Sequence, residues 1–340
     1  MNTDIRIPVF VGLDYHQDSV QVAVMNQAGE LLGNRRCAND TEKIRGYAES
    51  LGCVVRVAIE ACCGAANLAE ALSDGMGWHV DLAHPGYVAR MKQNPDKSDF
   101  TDAQMLADLQ RVAYLPRVWL APEEVRELRL VVRYRQQLVN ERRNSKLRIR
   151  AVLREQRLRC SLGRPWSQPW MGWLQKTDEL SAEGRWVVDC HVERLVSLDR
   201  QIAAVGKHLS EMTAEDVVVT RLLKFRGIGE VTAWVIRAEI GRFDRFRSGK
   251  QLSRFCGLSP RNASSGNRQA DAGLVKAGSN LLRATLIEAA HRLIRWDGRW
   301  RTLASKWSRA GKPGSVIAAA VANRWMRWLF HQMQSPPVAA

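Results

Sequence analysis

This sequence of 340 residues predicts a mixed α/β domain, then a long helical segment, then an all-helical C-terminal region. Three observations carry that prediction. Residues 7–82 alternate β-branched runs with helical spacing. Residues 123–211 keep a helical period in two stretches divided by a break at Gly163-Arg164-Pro165. Residues 215–335 are helical in pattern, interrupted by one loop at 257–275. The corresponding domains are 1–115, 116–214 and 215–340.

Residues 7–14 and 18–25 read as two strands joined by a short turn, and 29–37 as a third after Gln27-Ala28-Gly29. Asn39-Asp40-Thr41 opens a helix over 42–51. Val54 to Ile59 is a β-branched strand that ends in Glu60. A helix at 66–73 closes at Gly75 and Gly77, and a short strand follows at 78–82. The order βββαβαβ gives a mixed sheet with one antiparallel hairpin edge. Pro85 to Pro95 is loop with a short helix. Residues 100–113 return to helical spacing through Met105, Leu106, Leu109 and Val112, and Pro116 and Pro122 mark a boundary. A long amphipathic helix runs from Glu123 to about Arg159, with Val125, Leu128, Val132 and Val139 as its apolar stripe and arginine over most of the rest. Trp166, Trp170 and Trp173 follow the break, and a second long helix covers about 179–211. The two long helices can pair as an antiparallel coiled coil.

Composition narrows the function classes. Hydrophobic residues make up 46%, enough for a core in every region. No apolar run reaches the ~18–20 residues of a membrane helix, and residues 1–20 lack a signal-peptide pattern. The expectation is a soluble cytoplasmic protein with no membrane partner. Seven scattered cysteines without a C-x-x-C pair read as reduced, buried thiols; a redox role for adjacent Cys62 and Cys63 is the alternative. The histidines show no zinc spacing. Net charge is +16 and unevenly placed, −5 over residues 1–115 and +21 over 116–340. A basic part of that strength points to a polyanion partner, with nucleic acid favoured over a merely basic surface.

Four carboxylates stand out. Asp14 ends the first strand and Glu60 the strand after the first helix. Asp99 and Asp102 lie three apart at the start of a helix, so they share a face. Each alone has an ordinary reading: Asp14 as a turn residue, Glu60 as a strand end, Asp99 as a helix cap, Asp102 as a first-turn acid. Together they fit a ribonuclease-H-like domain, in which the first strand sits mid-sheet beside the fourth and the later helix packs on that edge. Four acids so arranged would bind two hard divalent cations. Such a pair, roughly 3.5–4 Å apart, clamps the attacking and leaving oxygens of a phosphodiester.

VGLDYHQDSVQVAV, VAIEACCG and KSDFTDAQMLA resemble the N-terminal half of the DEDD-type insertion-sequence transposases, whose first domain is similar to the Holliday-junction resolvase RuvC. The resemblance implies Asp14, Glu60, Asp99 and Asp102 as a Mg2+-binding tetrad. Relatives often carry Thr and Gly where this chain has Cys62-Cys63, a departure that leaves the ligands intact. Further on, GIGEVTA, GLSPRN-x-SSG and K-x-G-x-N-x-x-R resemble the C-terminal transposase domain of the same family. Gly227 and Gly229 there form a helix-hairpin-helix turn, whose backbone N–H groups can meet a phosphate. The resemblance implies Ser265 as nucleophile, with adjacent Ser264 as the alternative. Arg261, Arg268, Lys276 and Arg283 are candidates for holding phosphate charge.

The resemblance also implies a composite site in a homo-oligomer, dimer or tetramer. It implies donor and target DNA as substrates, and a structured non-coding bridge RNA that pairs with both. The protein would then be nucleoid-associated when acting in a prokaryotic cytoplasm. Surplus arginine on the long helices and the twelve tryptophans suit RNA contacts, although Trp296, Trp300, Trp307, Trp325 and Trp328 read as helix-packing residues. Two rival readings share parts of this pattern. A metal-dependent junction endonuclease would use the tetrad and water without a serine. A nucleic-acid-packaging protein would carry the acids as structure only.

Overall fold

The computed structural model describes residues 7–91, 98–262, 271–275 and 278–334. They belong to two compact units, Met1–Pro122 and Glu123–Ala340. The first unit runs β1 (Pro8–Tyr15), β2 (Ser19–Asn26), β3 (Leu31–Ala38), α1 (Thr41–Leu51), β4 (Cys53–Glu60), α2 (Ala65–Met76), β5 (Val80–Ala83), α3 (Pro85–Met91), α4 (Asp99–Arg111) and β6 (Arg117–Val118). Its sheet has the order β3-β2-β1-β4-β5-β6, with β1 in the interior beside β4. The β1–β4 and β4–β5 pairs are parallel and the other neighbours antiparallel. This mixed α/β layout is compatible with the ribonuclease-H-like arrangement expected from the sequence. The two-residue β6 was not expected, being too short to carry a period.

Strand alternation sorts β1 into two faces. Val9, Val11 and Leu13 are buried with Ile44 and Ala48 of α1 and Leu68 and Leu72 of α2. The opposite face carries Gly12 and Asp14, and α4 lies on it. Ala103 and Ala107 of α4 pack on Ala23 and Met25, while Leu106 packs on Ala58, Ala83 and Val88. The approach is very close: a Cβ on Gly12 would stand 2.0 Å from the Ala103 carbonyl oxygen and 2.4 Å from the Ala107 nitrogen. Only glycine fits there. In the β1–β4 register Gly12 pairs with Ala58 and Leu13 with Ile59, so Asp14 and Glu60 leave adjacent strands at the same level.

The second unit opens with α5 (Glu123–Glu155), α6 (Gln168–Lys176) and α7 (Ala182–Met212). Helices α5 and α7 are antiparallel, cross-linked by Arg142–Asp199 at 2.8 Å, Arg194–Glu141 at 2.9 Å and Gln156–Ser181 at 2.8 Å. Their mid-seam holds Leu138, Leu198 and Ile202, with Val139 only partly buried beside it. Farther along, Ile149, Leu153, Val188 and Leu195 enclose Trp170 and Leu174 of α6. That short helix lies where the sequence suggested only a break.

The remainder comprises α8 (Val217–Leu223), α9 (Glu230–Ile240), α10 (Gly249–Phe255), β7 (Pro260–Asn262), β8 (Asp271–Leu274), α11 (Asn280–Trp296), α12 (Gly298–Arg309) and α13 (Gly314–Gln334). Strands β7 and β8 form a two-stranded ribbon within the expected loop, so this region is helical with one small β element rather than all helix. Among the described residues no helix is long and apolar enough to cross a membrane.

Two side-chain expectations need correction. All seven cysteines are free, but only Cys37 and Cys256 are buried; Cys53, Cys62, Cys63 and Cys190 are exposed. Trp300 and Trp325 are core residues, whereas Trp296 is 62% exposed at the end of α11.

Gly12→Ala should force α4 off the sheet, because the clash is with helix backbone. Overpacking of this kind costs about 1–3 kcal/mol or more and should lower the urea midpoint. Gly46→Ala in α1, where an added Cβ meets nothing within 4 Å, should instead be neutral or stabilising by up to roughly 1 kcal/mol.

Candidate functional site

The site is built at the C-terminal edge of β1 and β4, where α4 begins. The cap of α4 is Ser98, whose Oγ accepts from the Thr101 N–H, and not Asp99. The Asp99 carboxylate is therefore left for other contacts. Asp99 and Asp102 both occupy the first turn, where the helix dipole favours negative charge. Asn34 of β3 ties that turn to the sheet: its Nδ2 donates to the Phe100 carbonyl at 2.9 Å, and its Oδ1 accepts from Gln21 at 2.7 Å. Asp102 is buried and Asp14 largely so, while Asp99 is half-exposed.

Burial pushes the Asp14 carboxyl above the usual carboxylate range. His16 opposes that rise, and Asp99, Asp102 and Glu60 add to it by like-charge repulsion. The three other acids named from sequence are thus all near enough to act on Asp14. The sequence reading missed His16, whose Nε2 lies 3.5 Å from Asp14 Oδ2 and 3.2 Å from Asp99 Oδ2. The sequence carried little signal for it: His16 lies just past the end of β1, in the turn that leads to β2.

Asp14, His16 and Asp99 each offer one donor atom, all within 4.8 Å of one another. A six-coordinate cation with ~2.1 Å bonds separates adjacent donors by about 3 Å and opposite donors by about 4 Å. The cluster has those dimensions, and its oxygen-rich donor set suits a hard divalent ion. Cys62 stands next to this edge, exposed at the surface but with partly desolvated surroundings; that desolvation raises its thiol pKa, the Ala65 N–H opposes, and Glu60 and Asp14 push upward.

In the second unit, Gly227 has φ +88°, and a Cβ there would meet Leu293 at 2.8 Å. Gly229 caps α9 without a side-chain bond. A cleft of about 880 Å³ opens at this helix start, lined by Asn140, Arg143, Gly229, Thr232, Asn280 and Arg292 among others. Arg261 is exposed on β7, and the Arg283 guanidinium bonds the Asn280 side chain. Ser265, Ser264, Arg268 and Lys276 lie outside the described residues.

Part of the arginine surplus is already paired within the protein. Arg133 makes two bonds, 2.9 and 3.1 Å, to the buried Glu239, and Arg129 donates to the Ala238 carbonyl. Arg237 pairs with Asp216 at 2.7 Å. These guanidiniums hold α5 and α8 to α9, so a raw count overstates the charge offered to a ligand.

Residues 11–157 match the DEDD, IS110-type family described as "Transposase", and residues 219–305 match the "Transposase IS116/IS110/IS902 family". The chain is 27% identical to the "Transposase for insertion sequence element IS1111A" of Coxiella burnetii, over 96% of this chain and 89% of that one. It is 26% identical to a "Probable family 20 transposase" of Pseudomonas aeruginosa, covering 94% and 95% of the two chains. Against the "Transposase for insertion sequence element IS1328" of Yersinia enterocolitica the identity is 24%, covering 93% and 94%.

The raised Asp14 pKa has a consequence for stability. The folded protein holds that proton more tightly than the unfolded chain, so ionisation costs stability as pH rises above the ordinary carboxylate range. Asp14→Asn removes the cost. In chelator at pH 7 its melting temperature should exceed that of wild type by a few degrees. The gap should close as pH falls towards ~4. Calorimetry showing an equal or lower value at pH 7 would contradict the crowding.

Proposed function

Because the chain belongs to the IS110-type transposase family and so is a DNA-processing enzyme of an insertion sequence, we propose that it exchanges DNA strands through a serine–DNA phosphodiester. Asp14, Glu60, Asp99 and Asp102 hold Mg2+ in this reading. The observation that supports it is the approach of Glu60, Asp99 and Asp102, from two further elements, to the largely buried carboxylate of Asp14. Like charges brought together from three elements repel unless a proton or a cation offsets them, and a cation does so in this reading.

Bound Mg2+ would polarise the scissile phosphodiester and offset its charge. The Ser265 hydroxyl forms a bond to phosphorus as one bridging P–O bond of the DNA breaks, and the departing oxygen takes up a proton. A hydroxyl of the new strand reverses the step, forming its own P–O bond while Ser265 leaves. The bond energy is conserved, so no nucleotide cofactor is needed. Arg261, Arg268 and Lys276 balance charge on the phosphoryl oxygens. The Gly227–Gly229 turn and Arg283 hold the DNA or RNA backbone. A structured bridge RNA supplies target choice by base pairing, and a dimer or tetramer brings the serine of the 215–340 domain to a tetrad of the 1–115 domain. The 116–214 segment joins the subunits.

Two experiments test this reading. Incubated with element-end DNA, the bridge RNA and Mg2+, wild type should form a covalent protein–DNA adduct that Ser265→Ala abolishes. An adduct lost in Ser264→Ala instead moves the nucleophile by one residue, and product without any adduct favours a water-using endonuclease. Asp102→Asn should reduce strand exchange by more than the roughly 10–100-fold of an outer-shell ligand partner. Exchange that continues in chelator would exclude the metal role.

A further inference from the structure

His16 belongs to no part of the acid tetrad, yet its ring nitrogen is the group placed between two of the acids. The turn that carries it is fixed on several sides. The His16 N–H donates to the Ser19 carbonyl at 2.9 Å. Its carbonyl, and that of Gln17, accept from Asn39 Nδ2 at 3.4 and 3.0 Å. Arg36 Nε donates to Ser19 Oγ at 2.9 Å. The backbone position of His16 is thus held by the turn, and its imidazole faces Asp14 and Asp99.

The distances argue about what the imidazole does there. A charge-assisted N–H···O bond runs about 2.7–2.9 Å. Here Nε2 stands 3.2 Å from one carboxylate oxygen and 3.5 Å from the other, too long for a tight pair with either. Both values sit near the ~3 Å spacing of adjacent donors around one cation. The three donor atoms are thus close enough together to share one cation.

We propose that His16 is a direct ligand of the cation held by Asp14 and Asp99, making that position a mixed nitrogen–oxygen site that accepts manganese(II) and later transition metals better than an all-carboxylate site would. The inference rests on the metal-binding reading of the tetrad. Imidazole nitrogen suits transition metals, whereas magnesium takes oxygen donors and keeps its waters. The divalent ion with the highest affinity is therefore set by a residue outside the four acids.

The test uses the full chain and manganese(II) alone. Electron spin-echo modulation of the wild-type complex should show directly coordinated imidazole nitrogen, and His16→Gln should lose it while still binding manganese. Manganese affinity should fall about tenfold or more in His16→Gln, with magnesium affinity little changed; His16→Asn serves where Gln destabilises the turn. Manganese bound by wild type without nitrogen modulation, or nitrogen modulation that survives in both variants, overturns the role of His16 and leaves the carboxylate site standing. No manganese binding by wild type, or binding indifferent to Asp14→Asn, overturns the metal reading itself.

Discussion

Everything at the candidate site depends on how closely α4 lies on the sheet. The backbone of Ala103 and Ala107 occupies the space where any side chain at position 12 would be. That contact sets the height of the helix above β1. Its first turn then falls beside the end of the same strand, two residues beyond Gly12. Ala23, Ala58, Ala103 and Ala107 keep the interface thin on both sides. Larger side chains would lift α4 by about the thickness of a methyl group or more, and Asp99 and Asp102 would retreat from Asp14 by a similar amount. Carboxylate chemistry at this edge is therefore a consequence of small residues packed a turn or two away from it.

The same contact holds charges where they do not belong on electrostatic grounds alone. Burial and three neighbouring acids all raise the Asp14 pKa, and only His16 works against them. The compensation comes from apolar packing on both faces of the sheet, which the acids do not disturb. This is the usual division in a functional site: a rigid scaffold over-determines a locally unfavourable arrangement. It also explains why the acids come from a strand end, a neighbouring strand end and a helix start. Those are the places where a side chain leaves the core at the edge of the sheet, and at the helix start the dipole also tolerates its negative charge.

Most of the first unit was legible because its elements carry strong periods. β1, β2 and β4 are runs rich in β-branched residues, α1 and α4 repeat at helical spacing, and Asp40 sits where a cap belongs; the cap of α4 is Ser98, one residue before the Asp99 that the sequence suggested. The pairing of β1 with β4, and so the adjacency of Asp14 and Glu60, was expected from a ribonuclease-H-like arrangement and not from the periods themselves. What was illegible is instructive. His16 carries no spacing that marks a ligand, and its position depends on a turn pinned by Asn39 from beyond β3. Whether an arginine on α5 meets solvent or Glu239 is decided by the packing of α9, more than a hundred residues on. α6 is nine residues long and its tryptophans pack on the long helices, so local pattern showed only a break. Ribbon β7–β8 is stabilised by pairing, which a run of three or four residues cannot announce.

The charge asymmetry acquires a physical sense from this division. An acidic edge repels a phosphodiester, and a cation there can at best neutralise the approach. Long-range attraction must come from elsewhere in the chain, and residues 116–340 carry +21 against −5 for residues 1–115. Even after the arginines bonded to Glu239, Asp216 and Asp199 are set aside, a large surplus remains on the helical unit. Binding through phosphate neutralisation is strong but indifferent to sequence. A protein that relies on it needs another source of specificity. In the proposed reading a guide strand that pairs with the DNA supplies that information, and the basic unit would hold both polyanions by the same phosphate contacts.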